Sequence, residues 1–317
     1  LLDYLSKGRD MNKKTFTIMR SYKNVTVVEK VAHIIFVICA LVAVISVISI
    51  SVYMLINGTP ALFQVGIVDI LFSTDWSPTA DSPTYGILYV ILTSIVGTGA
   101  AICIGVPIGV LTAVFLAETA PKSVAKIVKP AIELLAGIPS VIYGLLGILI
   151  LNPLMYKIEM LIFADSDTHQ FTGGSNLISA VLVLAIMILP TVINVSESSI
   201  KAVPEQIKSA SLAISASHIQ TIFKIIIPAA KSGIITAIVL GVGRAIGEAM
   251  AISLVSGSAV NIPLPFNSVR FLTTAIVSEM GYASGMHRNV LFTIGLVLFA
   301  FIMIINITLT KLLKKEK

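Results

Sequence analysis

Residues 204–228 read "PEQIKSASLAISASHIQTIFKIIIP". They lie inside a segment, 197–231, that joins two long apolar runs. A plain connector would be short and polar, and this one is neither. Pro204 suits the first position of a helix, and Glu205 is favourable in its first turn. A short helix rich in Ala and Ser is therefore expected over 204–214. A second, more apolar helix is expected from about Ser217 to Ile227, with Pro228 interrupting it. Two short helices with small side chains between them predict a compact, rigid knob. Another protein's backbone or groove could approach it closely.

Working outward, the flanking sequence sets the environment of that knob. The 317 residues are 56% hydrophobic and only 12% charged, against about 25% charged in soluble domains. A bilayer core takes about 20 apolar residues in helical form. Runs at 31–56, 86–116, 134–152, 176–196 and 289–310 meet that length. A sixth, 232–257, meets it if Arg244 and Glu248 are tolerated. Barrel strands would be shorter and would alternate in polarity. The fold class is thus all-α and polytopic, with six transmembrane helices.

The formal net charge of +6 does not indicate nucleic acid, because the basic residues sit between the apolar runs. The tail to Lys30, the loop with Lys122, Lys126 and Lys129, the 197–231 segment and the C-terminal tail hold 18 of them. The other loops hold Lys157, Arg270 and Arg288. By the positive-inside rule both termini and the knob are cytoplasmic. The expected organisation is a cytoplasmic tail over 1–30, a first span over 31–56 and an outer loop over 57–85. A domain core with the other five spans and the 197–231 segment follows over 86–312, with a short tail over 313–317. The outer loop 153–175 carries an apolar patch, "IEMLIF", too short to span. Trp76 reads as a loop anchor. Cys39 and Cys103 fall inside apolar runs, where a disulfide framework would not place them. The first 30 residues are polar and the next run is too long for a signal peptide. Met11 heads "MNKKTF", so whether residues 1–10 are native stays open.

Residues 204–228 also resemble the cytoplasmic loop of permease subunits of ABC importers. That loop has the form E-A-A, three residues, G, nine residues, I-x-L-P. With the final Pro on Pro228, Ile225 and Ile227 take the I and L positions. Ser209, Ala210 and Ser211 take the E-A-A positions, and Ser215 takes the Gly position. Pro204 falls where such loops carry Pro. Glu and Gly are each replaced by Ser, so the resemblance implies a docking shape but not a docking carboxylate. Three further stretches resemble the phosphate-specific members: "KPAIELLAGIPSVIYGLLGI" over 129–148, "TDWSP" over 74–78 followed by "PTYGIL", and "GRAIGEAMA" over 243–251. The last looks more like the PstC type than the PstA type. The resemblance covers about residues 60–312. It implies a type I ABC importer (MetI-like) permease fold in a prokaryotic cell membrane. It also implies a PstA-like permease partner, two copies of a PstB-like ATPase and a PstS-like extracytoplasmic phosphate-binding protein. No G-x-x-x-x-G-K-[S/T] is present. The chain therefore binds no cofactor of its own on this reading, and ATP is used by the partner ATPase.

"GVGRAIGEAMA", 241–251, carries the chemistry. An arginine at the bilayer centre costs roughly 2.5–3.5 kcal/mol on the insertion scale. Helix positions four apart share a face, so Glu248 is expected to pair with Arg244 and lower the cost of both. Gly241, Gly243 and Gly247 leave the nearby surface bare. The plainer reading is a structural ion pair that fixes helix packing. With the resemblance, Arg244 becomes a positive station on the phosphate path, since a guanidinium fork matches two oxygens of a tetrahedral anion. Glu248 would neutralise it between turnovers and accept a hydrogen bond from protonated phosphate. Sulfate or molybdate is the nearest alternative cargo. A membrane-embedded enzyme using Glu248 would need a nucleophile or metal set, and no such spacing exists. No catalytic or metal-binding residue is expected.

Overall fold

A computed structural model describes the backbone of residues 2–166 and 168–314 and the side chains of 27–166, 168–308 and 311. Most of the tail expected at 313–317 lies outside the described residues. The chain divides into two units, residues 1–56 and 57–317. The first unit is the bulk of α1 (Leu2–Gln64). From Val27 onward its apolar side chains are exposed on every side, as a lipid-facing helix requires. The helix runs past the expected end at Ile56, with Pro60 inside it.

In the second unit, α2 (Ile67–Phe72) and a hairpin of β1 (Trp76–Ser77) and β2 (Thr84–Tyr85) precede α3 (Leu88–Val114). A π-helical turn, Phe115–Thr119, extends α3. Next come α4 (Lys122–Gly137), α5 (Ser140–Leu146), a π-turn over Gly147–Leu151 and α6 (Asn152–Ile162). After α7 (Leu177–Lys201), the knob consists of α8 (Glu205–Ala213), α9 (His218–Thr221), a third π-turn (Ile222–Ile226) and α10 (Ile227–Ala229). The chain then forms α11 (Lys231–Gly247), α12 (Met250–Val255), α13 (Leu272–Glu279) and α14 (Gly285–Lys314).

Five described helical segments are long and apolar enough to cross a membrane, and a sixth is reached when His218–Ala229 and Lys231–Gly247 count as one bent span. Two expected boundaries are corrected. The third span is Ser140–Ile162 rather than 134–152, because the chain turns extended at Ile138 and Pro139 and leaves α4 as a separate helix. Proline removes a backbone donor and disfavours helix in the residue before it. The "IEMLIF" patch, expected in the outer loop, is therefore largely the last turns of α6. The fifth expected span, 232–257, is not one helix either, since it breaks at Glu248 and Ala249.

The spans are held by close backbone approach. On α3, Gly97, Ala101, Gly105 and Gly109 recur every fourth residue, which places them on one face. A Cβ on Gly105 would lie 2.7 Å from Ile188 Cδ1 and 3.0 Å from the Ala185 carbonyl oxygen, both on α7. One on Gly109 would lie 2.8 Å from Val192 Cγ1. Such small-residue stripes let helices in lipid gain van der Waals contact that no hydrophobic driving force supplies. Gly144 of α5 and Gly147 of the π-turn after it do the same against α12, with Ala251 and Val255 as neighbours.

Candidate functional site: a broken span and its knob

The knob follows from its sequence almost residue by residue. Ser217 caps α9 through a capping box with Gln220. Ser215, at the Gly position of the importer motif, has φ +65°. Its N–H donates to the Leu212 carbonyl at 3.0 Å, and the Ala216 N–H donates to the Ser211 carbonyl at 3.3 Å. This is the paired C-terminal bonding that favours glycine. Ser211 and Thr221 share a buried hydroxyl–hydroxyl bond of 2.9 Å, which ties α8 to α9. Pro204 precedes α8, and Ser209 and Ala210 are exposed on it.

One detail differs from expectation. Pro228 does not interrupt the second helix. The preceding turn widens, so that the Ile227 N–H reaches the Ile222 carbonyl, and Pro228 then enters α10 in its first turn. The direction changes at Ala230 instead, by 69°. Ile222, Ile226 and Val203 root the knob among Val114, Leu116, Ile132, Ile193 and Ile234. Ile227 packs partly on this cluster, and Ile225 is partly exposed. Leu212, Ile214, Ile219 and Phe223 remain exposed.

Arg244 lies on an exposed stripe of α11 with Thr236, Leu240, Gly243 and Gly247. Gly241, by contrast, faces Val192 on α7. A Cβ on Gly243 or Gly247 would meet nothing within 4 Å. At 1.5 Å per residue, Arg244 stands about 20 Å along α11 from Lys231. Across the α4–α5 break, the Tyr143 hydroxyl donates to the Leu135 carbonyl at 2.6 Å.

The expected Arg244–Glu248 pair is not formed, and among the described residues no ion pair joins them. The reason is local. The helix that would place the two on one face ends at Gly247, and Glu248 is extended at φ −74°, ψ 132°. Its Oε1 accepts from the Ala251 N–H at 3.0 Å, so the carboxylate serves the free donors at the start of α12. Thr273 of α13 donates to the Glu248 carbonyl at 2.6 Å and fixes the break.

Several charged groups that sequence reasoning left as loop residues are organised. Glu197 joins Lys129 of α4 and, at 2.5 Å, Lys201. Its hydrogen bond holds the Lys129 ammonium above the usual lysine range. Lys208 of α8 meets Glu118 at 2.6 Å. Glu279 receives Arg270, His287 and the indole N–H of Trp76, so Trp76 anchors the hairpin. Buried Glu159 gathers His169 and Thr172. A lone acidic residue at the end of an apolar run, such as Glu118 or Glu159, was the available signal. No cluster of three metal-ligating side chains occurs among the described residues.

The family described as "Binding-protein-dependent transport system inner membrane component" matches residues 105–316. The chain belongs to this family. The permease is 35% identical over 277 residues to the "Probable ABC transporter permease protein YqgH" of Bacillus subtilis (strain 168), covering 84% of this chain and 86% of that protein. It is 34% identical over 286 residues to the "Phosphate transport system permease protein PstC" of Xylella fastidiosa (strain 9a5c), covering 86% and 87%. The PstC of Pasteurella multocida (strain Pm70) is 35% identical over 239 residues, covering 72% and 74%. A chain of the MetNI methionine ABC transporter in an inward-facing conformation superposes with a TM-score of 0.53 at 18% identity, over 73% of this chain and 96% of that one. That likeness shows the fold, of the type I ABC importer kind. The permease is therefore a multi-pass inner-membrane transport subunit rather than an enzyme. It works in association with other ABC components.

Proposed function

We propose that this permease carries inorganic phosphate inward as half of the path of an ATP-driven importer. The observation that carries the reading is Arg244, which stands on a bare, glycine-flanked stripe of α11 beside a fixed helix break. The phosphate transport named in its PstC relatives supports the choice of cargo. Lipid does not stabilise an unpaired guanidinium, so this stripe belongs against a water-filled path. A PstA-like permease would supply the opposite wall. The knob is the cytoplasmic end, as its lysines indicate, and its exposed Leu212, Ile214, Ile219 and Phe223 fit a groove of a PstB-like ATPase. Two ATPase copies and a PstS-like extracytoplasmic binding protein complete the assembly. ATP is bound by the ATPase, and this chain binds no cofactor.

Mechanistically, the Arg244 fork donates two hydrogen bonds to one edge of the passing anion. Glu248 Oε1 is held by Ala251, while Oε2 has no partner among the described residues. That oxygen accepts from the P–OH of monohydrogen phosphate, which sulfate lacks at neutral pH. With its carboxylate engaged on α12, Glu248 bounds the station rather than neutralising it. The test is phosphate uptake by the reconstituted complex with Arg244→Gln, with sulfate and molybdate as competitors. The expected result is a loss of about tenfold or more, the scale of one charge-assisted contact. Unimpaired uptake refutes the station. Equal competition by sulfate refutes the selectivity assigned to Glu248.

A further inference from the structure

The knob is covalently continuous with α7 through Ala202–Pro204 and with α11 through Ala230. It has no such continuity with α3 or α4. The chain path from α4 to α8 runs through α5, α6 and α7. Yet α3 packs on α7 by its glycine stripe and joins α4 through Ala120 and Pro121. If the knob is moved, the α3–α4 hairpin follows only through non-covalent contact.

Two kinds of contact are present. One is the apolar cluster of Val114, Leu116 and Ile132 against Val203, Ile222 and Ile226. Apolar contact is non-directional, so it resists separation better than sliding. The other is ionic and directional. Glu118, in the π-turn that ends α3, meets Lys208 of α8 at 2.6 Å, with side chains only 6% and 15% exposed. Lys129 of α4 meets Glu197 near the end of α7. Each arm of the hairpin is thus fastened near its turn, to one of two elements contiguous with each other across Pro204. Glu205 also approaches Lys208, at 3.7 Å, but it is 80% exposed and sits on the same helix as the lysine. It holds nothing to α3.

We infer that Glu118 and Lys208 form the hitch by which displacement of the knob drives the α3–α4 hairpin, with Lys129 and Glu197 as its second point. They are positioning residues and touch no cargo. The inference rests on the proposed docking of the ATPase on the knob, which makes the knob the place where ATP-driven motion enters. It extends that reading to two helices the knob does not reach through the chain.

The experiment uses the complete transporter in proteoliposomes, with the permease partner, ATPase and binding protein present. Phosphate uptake and ATP hydrolysis are read together. Glu118→Gln leaves Lys208 its partner on α8, and Lys208→Met removes the charge, so both cut the link between helices. Each is expected to lower uptake per ATP by about tenfold, the order of a typical coupling free energy, with hydrolysis within about twofold of wild type. Lys208→Arg, and the swap of Glu118→Lys with Lys208→Glu, are expected to restore most of the ratio. Assembly is followed by co-elution of the subunits. If neither single variant assembles, the swap decides, and recovery of assembly and uptake supports the pair. Glu118→Gln and Lys208→Met with the wild-type ratio overturn the hitch, as does an assembled swap that fails to restore it. Parallel loss of uptake and hydrolysis in an assembled complex also overturns it. A wild-type complex that hydrolyses ATP without importing phosphate refutes the cargo reading instead.

Discussion

Replacing Ser215 with glycine is expected to stiffen the knob. Ser215 holds φ +65°, a conformation that costs an L-residue roughly 1–2 kcal/mol. Glycine adopts it freely but has more chain entropy to lose, about 0.5–1 kcal/mol. No described bond involves the exposed Ser215 hydroxyl, so nothing else is given up. The balance is a gain of about 0.5–1 kcal/mol at the C-terminus of α8. With RT near 0.59 kcal/mol, opening of this turn should become about 2–5-fold rarer. The amides of Ser215 and Ala216 close the turn onto Leu212 and Ser211, so they report it directly. Hydrogen exchange of a peptide spanning 211–217, compared between wild type and Ser215→Gly, gives that factor locally. Ser215→Val, β-branched in the same conformation, should move the rate the other way. Equal or faster exchange in the glycine variant would refute the account, because the strain would then not reside in the backbone of Ser215.

Two further outcomes are expected. Gly174→Ala should cost more than about 2 kcal/mol, because Gly174 has φ +82° and a Cβ there would lie 1.9 Å from the Asn152 carbonyl oxygen; wild-type thermal melting of the purified variant would contradict this. The Lys129 ammonium is raised above its usual range by Glu197, so its contribution is fully present below the unfolded lysine value and is lost only as pH climbs through the higher folded one. The difference in stability between wild type and Lys129→Arg should therefore stay constant from about pH 6 to 9, and a difference that titrates within that window would count against the pair.

Hydropathy and charge gave the spans because those quantities act over tens of residues. The knob was legible for a different reason. Pro204, Ser217 and the small residues between its helices are local signals whose chemistry decides a turn or a cap. The two misplaced spans share one cause, helix continuity assumed where the chain breaks, while Pro228 was the reverse, a break expected where a widened turn lets the helix continue. At Pro139 the signal was present, and the third span moved C-terminally to take in "IEMLIF". At Glu248 it was not. A glycine followed by glutamate is compatible with a helix interior, and what ends α11 there involves Thr273 and Ala251, contacts that sequence spacing does not reveal. The Glu118–Lys208 pair joins residues 90 apart and was invisible for the same reason.

The 69° turn at Ala230 makes α11 a crank. A push along the axis of the knob's second helix arrives at the base of α11 mainly as a sideways force, since the sine of 69° is about 0.93. With the pivot at Ala230 and Arg244 about 20 Å along the arm, a swing of about 10° carries the guanidinium about 3.5 Å. That stroke is about the length of a hydrogen bond, enough to make or release a grip on one oxyanion. On the proposed reading of Arg244, a small rotation at the surface and the binding or release of one anion are thus matched by the length of one arm.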